Sequence, residues 1–448
     1  MRRPPAPGGL ALLRAPFAAV KAMLGWRRSE PLAEPLSLAP MSSLTARLVP
    51  SIAAVDPAAW DACANPPGIA EAAAEGERFN PFVAHGFLHA LEASGSTGGR
   101  SGWTPAHVTV EDKSGRIVAA APSYLKSHSM GEYVFDHAWA DAYARAGGDY
   151  YPKLQVAAPF TPATGRRLLV VPDAPEGARE ALVAGLREVR RQARASSIHV
   201  TFPTAEDATR LERMGFLVRH GEQFHFLCEG YKRFDDFLAA LASRKRKSIK
   251  RERREALGDD LTIDWLTGSS IKPEHWDAFF AFYIDTGSRK WGRPYLTRRF
   301  FDLVGAAMAD RILLVMARRG GRYVAGAINF IGDDALYGRN WGAIEERPFL
   351  HFEVCYYQAI DFALSRGLKR VEAGAQGEHK LARGYRPVVT YSAHEFADAR
   401  LARAVADYLR HEREAVARTI AHYENHAPFR RGDGENAETL GEAFDADL

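Results

Sequence analysis

Apolar and polar positions along the chain change period twice in the same order. "HVTV" and "RILLVMA" are short apolar runs; each enters a Gly-Arg turn and leaves through a second run of small and branched residues, "SGRIVAAAP" at 114–122 and "GGRYVAGAI" at 320–328. Runs of this kind around such a turn predict β-hairpins. The two share Gly115/Gly321, Arg116/Arg322, Val118/Val324, Ala119/Ala325 and Ala121/Ala327. After each hairpin the pattern predicts a further strand, an amphipathic helix and another strand, in "ALVAGLREVRRQARASSIHVTFP" and again in "HFEVCYYQAIDFALSRGLKRVEAG". In the second stretch Phe352, Cys355/Tyr356, Ala359 and Ala363 recur at helical spacing, and Gly367 stands where the helix should stop. A hairpin-rich sheet completed by a helix-to-strand unit is a mixed α/β (α+β) layer, and here it occurs twice.

These patterns divide the chain into a first unit at 43–230 and a second at 231–430. The second opens with a helix over 234–257 whose apolar face is Phe234, Phe237, Leu238 and Leu241, and it closes with a helix over 398–424 marked by Leu401, Val405, Leu409, Val416 and Ile420. Within the opening helix, positions 243–254 hold eight Lys or Arg against one acid, Glu252. Residues 431–448 form an acidic tail with six acids from Asp433 onward and few large apolar groups, the composition of a disordered end. Residues 1–42, Arg-rich and free of acids until Glu30, read either as a targeting-like segment or as a disordered upstream extension.

At 448 residues the chain exceeds what one hydrophobic core usually holds, in keeping with two units. With 59 basic and 55 acidic side chains its net charge is slight, so only local patches argue for an anionic partner. Cys63, Cys228 and Cys355 are scattered, which argues against a disulfide framework or a zinc site and fits a reducing, cytoplasmic setting. No H-E-x-x-H motif occurs, no apolar run is long enough to span a membrane, and no DNA-binding motif is present.

The densest chemistry is "GAQGEHKLARGYRP" at 374–387, just beyond a strand. Glu378 and His379, at a strand end, are residue types that can take up a proton in general acid–base chemistry. Lys380 and Arg383 could hold a phosphate or carboxylate, with Gln376 and Tyr385 as further substrate contacts. An exposed ion-pair network around a turn is the structural alternative. Glu353, near a helix start, is a weaker second base. Arg244, Lys247 and Arg251 form one stripe of the basic helix, suited to phosphates of tRNA, CoA or a nucleotide-linked precursor, or else simply a solvated face. Trp291 and Tyr295, in a Gly- and Pro-broken stretch at 282–301, offer one wall of an acceptor pocket or anchor a connector. Asp136 and Trp139, in an aromatic loop with Tyr143, Tyr150 and Tyr151, suit a sugar, a peptide or a cationic amine, or else domain packing.

The tandem units, the basic helix between them and the closing "EAGAQGEHKLARGYRP" resemble a Fem-type acyltransferase, from the branch of the GNAT superfamily with two fused GNAT-like domains. The likeness runs from about Arg47 to about Asn425 and is carried also by "FNPFVAHGFLHALEASGS", "YYPKLQVAAPFTPATGRRLL", "GRNWG" and "HFEVCYYQAIDFA". The resemblance implies transfer of an acyl or aminoacyl group from acyl-CoA or aminoacyl-tRNA to an amine-bearing acceptor such as a peptidoglycan precursor. It also implies that Asn340 and Trp341, on the strand before the crossover helix, lie beside the reacting carbonyl. Of the acyl-CoA pyrophosphate loop Q/R-x-x-G-x-G/A, 339–343 keeps only the beginning, and "TPATGRRLL" is a looser counterpart in the first unit, so the donor stays open. The alternative function is non-catalytic recognition of a peptidoglycan precursor or RNA on the same duplicated fold.

Overall fold

The computed structural model describes residues 44–67, 79–290, 294–374 and 378–430, apart from the side chains of 288–290 and 378. The expected segments 1–42 and 431–448, together with Trp291 and Gln376, lie outside the described residues.

The first half runs β1 (Thr45–Val49), α1 (Pro57–Ala64), α2 (His85–Ala93), β2 (Trp103–Pro105), β3 (His107–Glu111), β4 (Ile117–Ala121), β5 (Ser123–Lys126), α3 (His137–Arg145), β6 (Lys153–Val156), β7 (Leu169–Val170), α4 (Ala178–Gln192), β8 (Ser197–Thr201), α5 (Ala205–Arg213) and β9 (Leu217–Leu227). The second runs α6 (Phe234–Ala240), α7 (Ser243–Leu257), β10 (Leu261–Leu266), α8 (Pro273–Lys290), α9 (Arg298–Met308), β11 (Ile312–Arg319), β12 (Arg322–Ile331) and β13 (Ala335–Ala343). It continues through α10 (350–365), whose Glu353–Tyr357 turn is π-helical, then β14 (Arg370–Glu372), a 3-10 turn at Glu378–Arg383, β15 (Arg386–Phe396) and α11 (Ala399–Asn425).

Both hairpins form, β3–β4 and β11–β12, and each is followed by a parallel strand pair joined through a helix: β6/β8 across α4, and β13/β14 across α10. A parallel pair needs such a crossover, because a tight turn cannot return the chain in the same direction. The mixed α/β architecture and its duplication are therefore present as the sequence pattern implies. Eleven strands make one sheet in the order β10-β11-β12-β13-β14-β9-β15-β8-β6-β5-β2, and β1-β3-β4-β7 make a second. The halves exchange strands: β15, from the end of the chain, lies between β8 and β9, while β9 of the first half pairs with β14 of the second. A cut at 230 thus divides the sequence, but the hydrogen-bonded sheet crosses it.

β11 is buried on both faces. Ile312, Leu314 and Met316 join a core with Trp276 and Phe279 of α8 and Phe300 and Phe301 of α9, whereas Leu313, Val315 and Ala317 join one with α6, α7 and α10. This is why "RILLVMA" is apolar throughout rather than alternating.

Three expectations change on contact with the tertiary structure. The single helix at 234–257 is two, because Leu241 is extended and the backbone around it is taken by residues 428–430: Ala242 N–H donates to Pro428 O and Arg430 N–H to Ala240 O, each at 3.0 Å. Helix α8 continues through Gly287 instead of breaking there; the returning chain passes so close that a Cβ at 287 would lie 2.8 Å from Pro294 Cγ. The aromatic stretch after Asp136 is not a loop but helix α3, formed because Trp139 and Ala140 find a buried surface. Among the described residues no helix is long and apolar enough to cross a membrane.

Candidate functional site

β13 and β14 pair only through Ala335↔Arg370, Leu336↔Val371 and Tyr337↔Glu372. Beyond this the register of β13 against β12 slips, so that Asn329 faces Gly338 and Ile328 faces Asn340, leaving Arg339 as an extra residue. A bulge bends its strand. Because β14 ends at Glu372, the hydrogen-bond ladder has a gap between 339–341 and 373–374, although Gly338 still packs close: a Cβ there would lie 3.5 Å from Glu372 O and 3.6 Å from Ala373 Cα. Strand alternation then sends Trp341 to one face of the sheet and Asn340 to the other.

On the Trp341 face a chain of rings leads to the "EHK" turn. Trp341 lies 5.1 Å from His351, His351 lies 5.4 Å from Tyr356, and the Tyr356 hydroxyl and His379 Nε2 are 2.9 Å apart. The π-helical turn supplies Tyr356, and such turns recur at functional sites because they re-aim side chains within a helix. His379 reaches solvent at one side. Desolvation, with help from the Arg383 and Lys380 charges, lowers its pKa to about 4, so the ring is neutral near pH 7. Lys380 is buried, donates from Nζ to Gly374 O at 3.0 Å, and is lowered to about 8, chiefly by desolvation. Arg383 is buried too: it donates to Glu252 Oε2 at 3.0 Å and to His379 O at 2.8 Å, and its guanidinium lies 3.3 Å from the Phe352 ring centre. Gly384 has φ +83°, and a side chain there would run into Phe237, so this glycine serves the turn's packing. The Glu378 side chain lies outside the described residues.

The Asn340 face is shared between the halves. Asn340 and Arg339 border a small cavity with Phe82, Phe87, Phe160, Ile328 and Phe330. Arg339 donates to Phe160 O, and Tyr295 stacks on Phe160 with centroids 4.7 Å apart. Tyr337, Glu372 and His225 are register partners in successive strands, so they too lie on this face. Glu372, His225 and Arg339 are the site residues that sequence reasoning missed. Glu372 had a signal, standing one residue before "AGAQGEHK", but its setting depends on β9 arriving from the other half.

A family model for FemAB-like peptidoglycan biosynthesis/recognition proteins matches residues 51–431. The chain belongs to the FemAB-like family. No curated protein matches it. Solved structures similar to this FemAB-like chain include FemX, at 12% identity and TM-score 0.46 over 72% of this chain and 94% of that one. L-PGS from Bacillus licheniformis follows at 11% and 0.44, over 80% and 100%. A tandem GNAT protein from the clavulanic acid biosynthesis pathway stands at 13% and 0.43, over 79% and 99%.

The remaining sequence candidates of the FemAB-like chain lie apart from the gap. Asp136 is buried, accepting from Tyr150 at 2.8 Å and pairing with Lys153. Trp139 packs 4.9 Å from His394 and 5.9 Å from Phe396, beneath the Arg219 guanidinium. His394 and Arg386 are at opposite ends of β15, roughly 26 Å at strand rise, and Tyr385, 5.6 Å from Tyr356, precedes the near end. Asp136 and Trp139 therefore do not share this gap. Glu353 is fully buried and bound by Arg253 at 2.9 Å and Gln358 at 2.6 Å, which ties up the second candidate base in an ion network that includes Asp361. Arg244, Lys247 and Arg251 are exposed on α7, with Arg251 3.8 Å from Glu255, whereas Glu252 of the same helix turns inward to Arg383. Among the described residues no group of three His, Cys, Asp or Glu could hold a metal ion.

Proposed function

We propose that the protein transfers an acyl or aminoacyl group from an activated donor, acyl-CoA or aminoacyl-tRNA, to an amine-bearing acceptor such as a peptidoglycan precursor. The observation that carries this reading is the end of the β13–β14 ladder after Tyr337 and Glu372, where titratable groups stand on both faces of the sheet. FemAB-like membership supports the same class of chemistry and the same kind of acceptor.

In this reading the amine nitrogen gives its lone pair to the donor's carbonyl carbon. The C–N bond forms, and the C–S bond of a thioester or the C–O bond of an aminoacyl ester breaks with its electron pair, the leaving group being protonated from solvent. The proton lost by nitrogen passes to His379 or Glu378, His379 being neutral and hydrogen-bonded to Tyr356. Lys380 braces the Gly374 carbonyl at the rim. Trp341 and His351 wall the donor side, and the exposed Arg244, Lys247 and Arg251 stripe offers charge to a phosphate-rich donor.

The test is to incubate the protein in parallel with labelled acetyl-CoA and with labelled aminoacyl-tRNA, plus amine-bearing wall precursors, and to follow the label. Transfer from one donor is expected. Retention of precursor or RNA with no label moved from either donor would reject the transferase in favour of a recognition protein.

A further inference from the structure

Arg339, the extra residue of the β13 bulge, is met by two residues of the first half whose backbones are left-handed, Tyr133 and Phe160, each at φ +58°. This conformation is costly for an aromatic residue and persists only where the surroundings enforce it, commonly at binding sites. The loop carrying Tyr133 is fixed from inside. Lys153 Nζ donates to Ser129 Oγ at 2.8 Å and to Glu132 Oε2 at 2.7 Å and pairs with Asp136, while Trp103 Nε1 and Lys126 Nζ each donate to Met130 O at 3.2 Å. Gly131 lets this loop close on Phe160, since a Cβ there would lie 2.6 Å from that ring. Both strained residues then converge on one guanidinium: Arg339 donates to Phe160 O and interacts with the Tyr133 side chain, 6.0 Å from the centre of its ring.

Arg339 nevertheless lacks a counterion. Among the described residues no carboxylate forms an ion pair with it; Glu372 acts on it only from a distance, and desolvation works against its charge. Because an arginine stays protonated, a guanidinium drawn out of water without an anion is destabilising. Its Nε and Nη1 are not sealed from solvent, and the side-chain amide of Asn340, the next residue, makes no hydrogen bond among the described residues. Tyr133, Arg339 and Asn340 are each partly exposed, and Tyr295, stacked on Phe160, is 38% exposed, so this edge faces solvent. The cavity behind it has room for little more than a water molecule, so a ligand meets Arg339 from outside. One guanidinium with a neutral amide beside it suits a carboxylate, whose two oxygens match the fork and whose single charge it balances.

We propose that Arg339, aimed by Tyr133 and Phe160, is a carboxylate-recognition site, and that the acceptor amine belongs to a molecule with a free carboxylate, of the amino-acid or peptide class. The site stands on Arg339 itself. That its ligand is the acceptor rests on the transferase reading, because this face lies opposite the Trp341 wall assigned to the donor.

The site is tested without any donor, by calorimetric titration at pH 7 with glycylglycine and with glycylglycinamide, which keeps the amine and replaces the carboxylate by an amide. Glycylglycine is expected to bind the wild type roughly tenfold more tightly than the amide. Arg339→Gln, which keeps an N–H for Phe160 O, is expected to bring the two to equal affinity while melting as a folded protein. No binding of glycylglycine, equal affinities in the wild type, or an undiminished preference in folded Arg339→Gln would each overturn the proposal. Inorganic phosphate serves as the other anion, and tighter binding of phosphate than of glycylglycine would reject the carboxylate. Should Arg339→Gln not fold, Tyr133→Phe decides, because it removes only the hydroxyl that steadies the guanidinium. The preference is expected to fall about threefold there, and an unchanged preference rejects the site. Since no donor is present, carboxylate-dependent binding with no transfer would sink the transferase reading alone, and transfer without a carboxylate preference would sink only this site.

Discussion

The two halves build the same parallel pair and use it in opposite ways. In the first, β6 and β8 pair through Leu154↔Ile198, Gln155↔His199 and Val156↔Val200, and the space beyond is filled by Arg167. That side chain is 1% exposed, and its guanidinium donates to Thr201 O at 2.9 Å, Gly165 O at 3.1 Å and Ala163 O at 2.6 Å. The stretch "TPATGRRLL", expected to be a loose phosphate loop, turns its Ala163 and Gly165 carbonyls towards its own arginine. Among the described residues of the second half, rings and titratable groups border the end of the β13–β14 pair instead, and Arg167 lies close enough to Tyr337 and Glu372 to interact with their charge. A duplicated fold thus repeats its hydrogen-bond register without repeating its site, because the register is a property of backbone and the site one of side chains.

The sharpest way to break this contrast is to disarm the gap in the second ladder. The Glu378→Gln, His379→Ala double variant is expected to fold and to lose about 10²–10⁴-fold in transfer rate, the usual contribution of a placed base. Full activity in the folded variant would remove both residues from the proton path.

Next in size is removal of the plug. Arg167→Met leaves several buried carbonyls without donors and should cost about 3–4 kcal/mol in stability, read as a lower urea midpoint. A wild-type midpoint would mean that Arg167 does not hold the first gap shut.

Acidification sharpens the comparison further, because each parallel pair has a buried neutral histidine beside it. His199, in the first, is lowered to about 3 and His225, near the second, to about 4, both chiefly by desolvation. The unfolded chain takes up these protons near pH 6.5, the folded one only at the lower values. Stability is therefore full above about pH 6.5 and falls as the pH drops towards 4, by up to about 2 kcal/mol per histidine at pH 5. Urea midpoints at pH 7.5, 6 and 5 measure this, and His225→Gln should flatten the slope by one histidine's share. An unaltered slope in that variant would assign the acid sensitivity elsewhere.

The smallest expected effect lies on the surface. Replacing Arg244, Lys247 and Arg251 together by alanine should change stability by less than about 0.5 kcal/mol, yet raise the KM for a phosphate-rich donor severalfold and weaken its dependence on salt. An unchanged KM and salt slope would leave the stripe as a solvated face.

Much of the fold was legible because its signals are local. The Gly-Arg hairpins, the α4 and α10 crossovers and the closing helix are written in periodicities that neighbouring residues enforce on one another. The 374–387 stretch declared itself through its composition, and His379 does meet an aromatic partner, Tyr356, that the helix pattern alone marked only as apolar. Asp136 and Trp139 misled because an aromatic, acidic stretch has the same composition whether it faces a ligand or, as here, packs against β15 and α11.

By itself, then, the sequence determined a duplicated α/β chain with a chemically dense turn after its second crossover, since hydrophobic period and turn chemistry act over a few residues. Only the tertiary structure decided that Arg167 fills the space beyond the first parallel pair, that β9 and β15 change places between the halves, and that Glu372 lies beside His225 across that exchange. Those outcomes depend on contacts between residues far apart in the chain. Arg167 shows the reason most plainly: an arginine reads as a surface charge until the fold surrounds it with carbonyls and makes it a core residue.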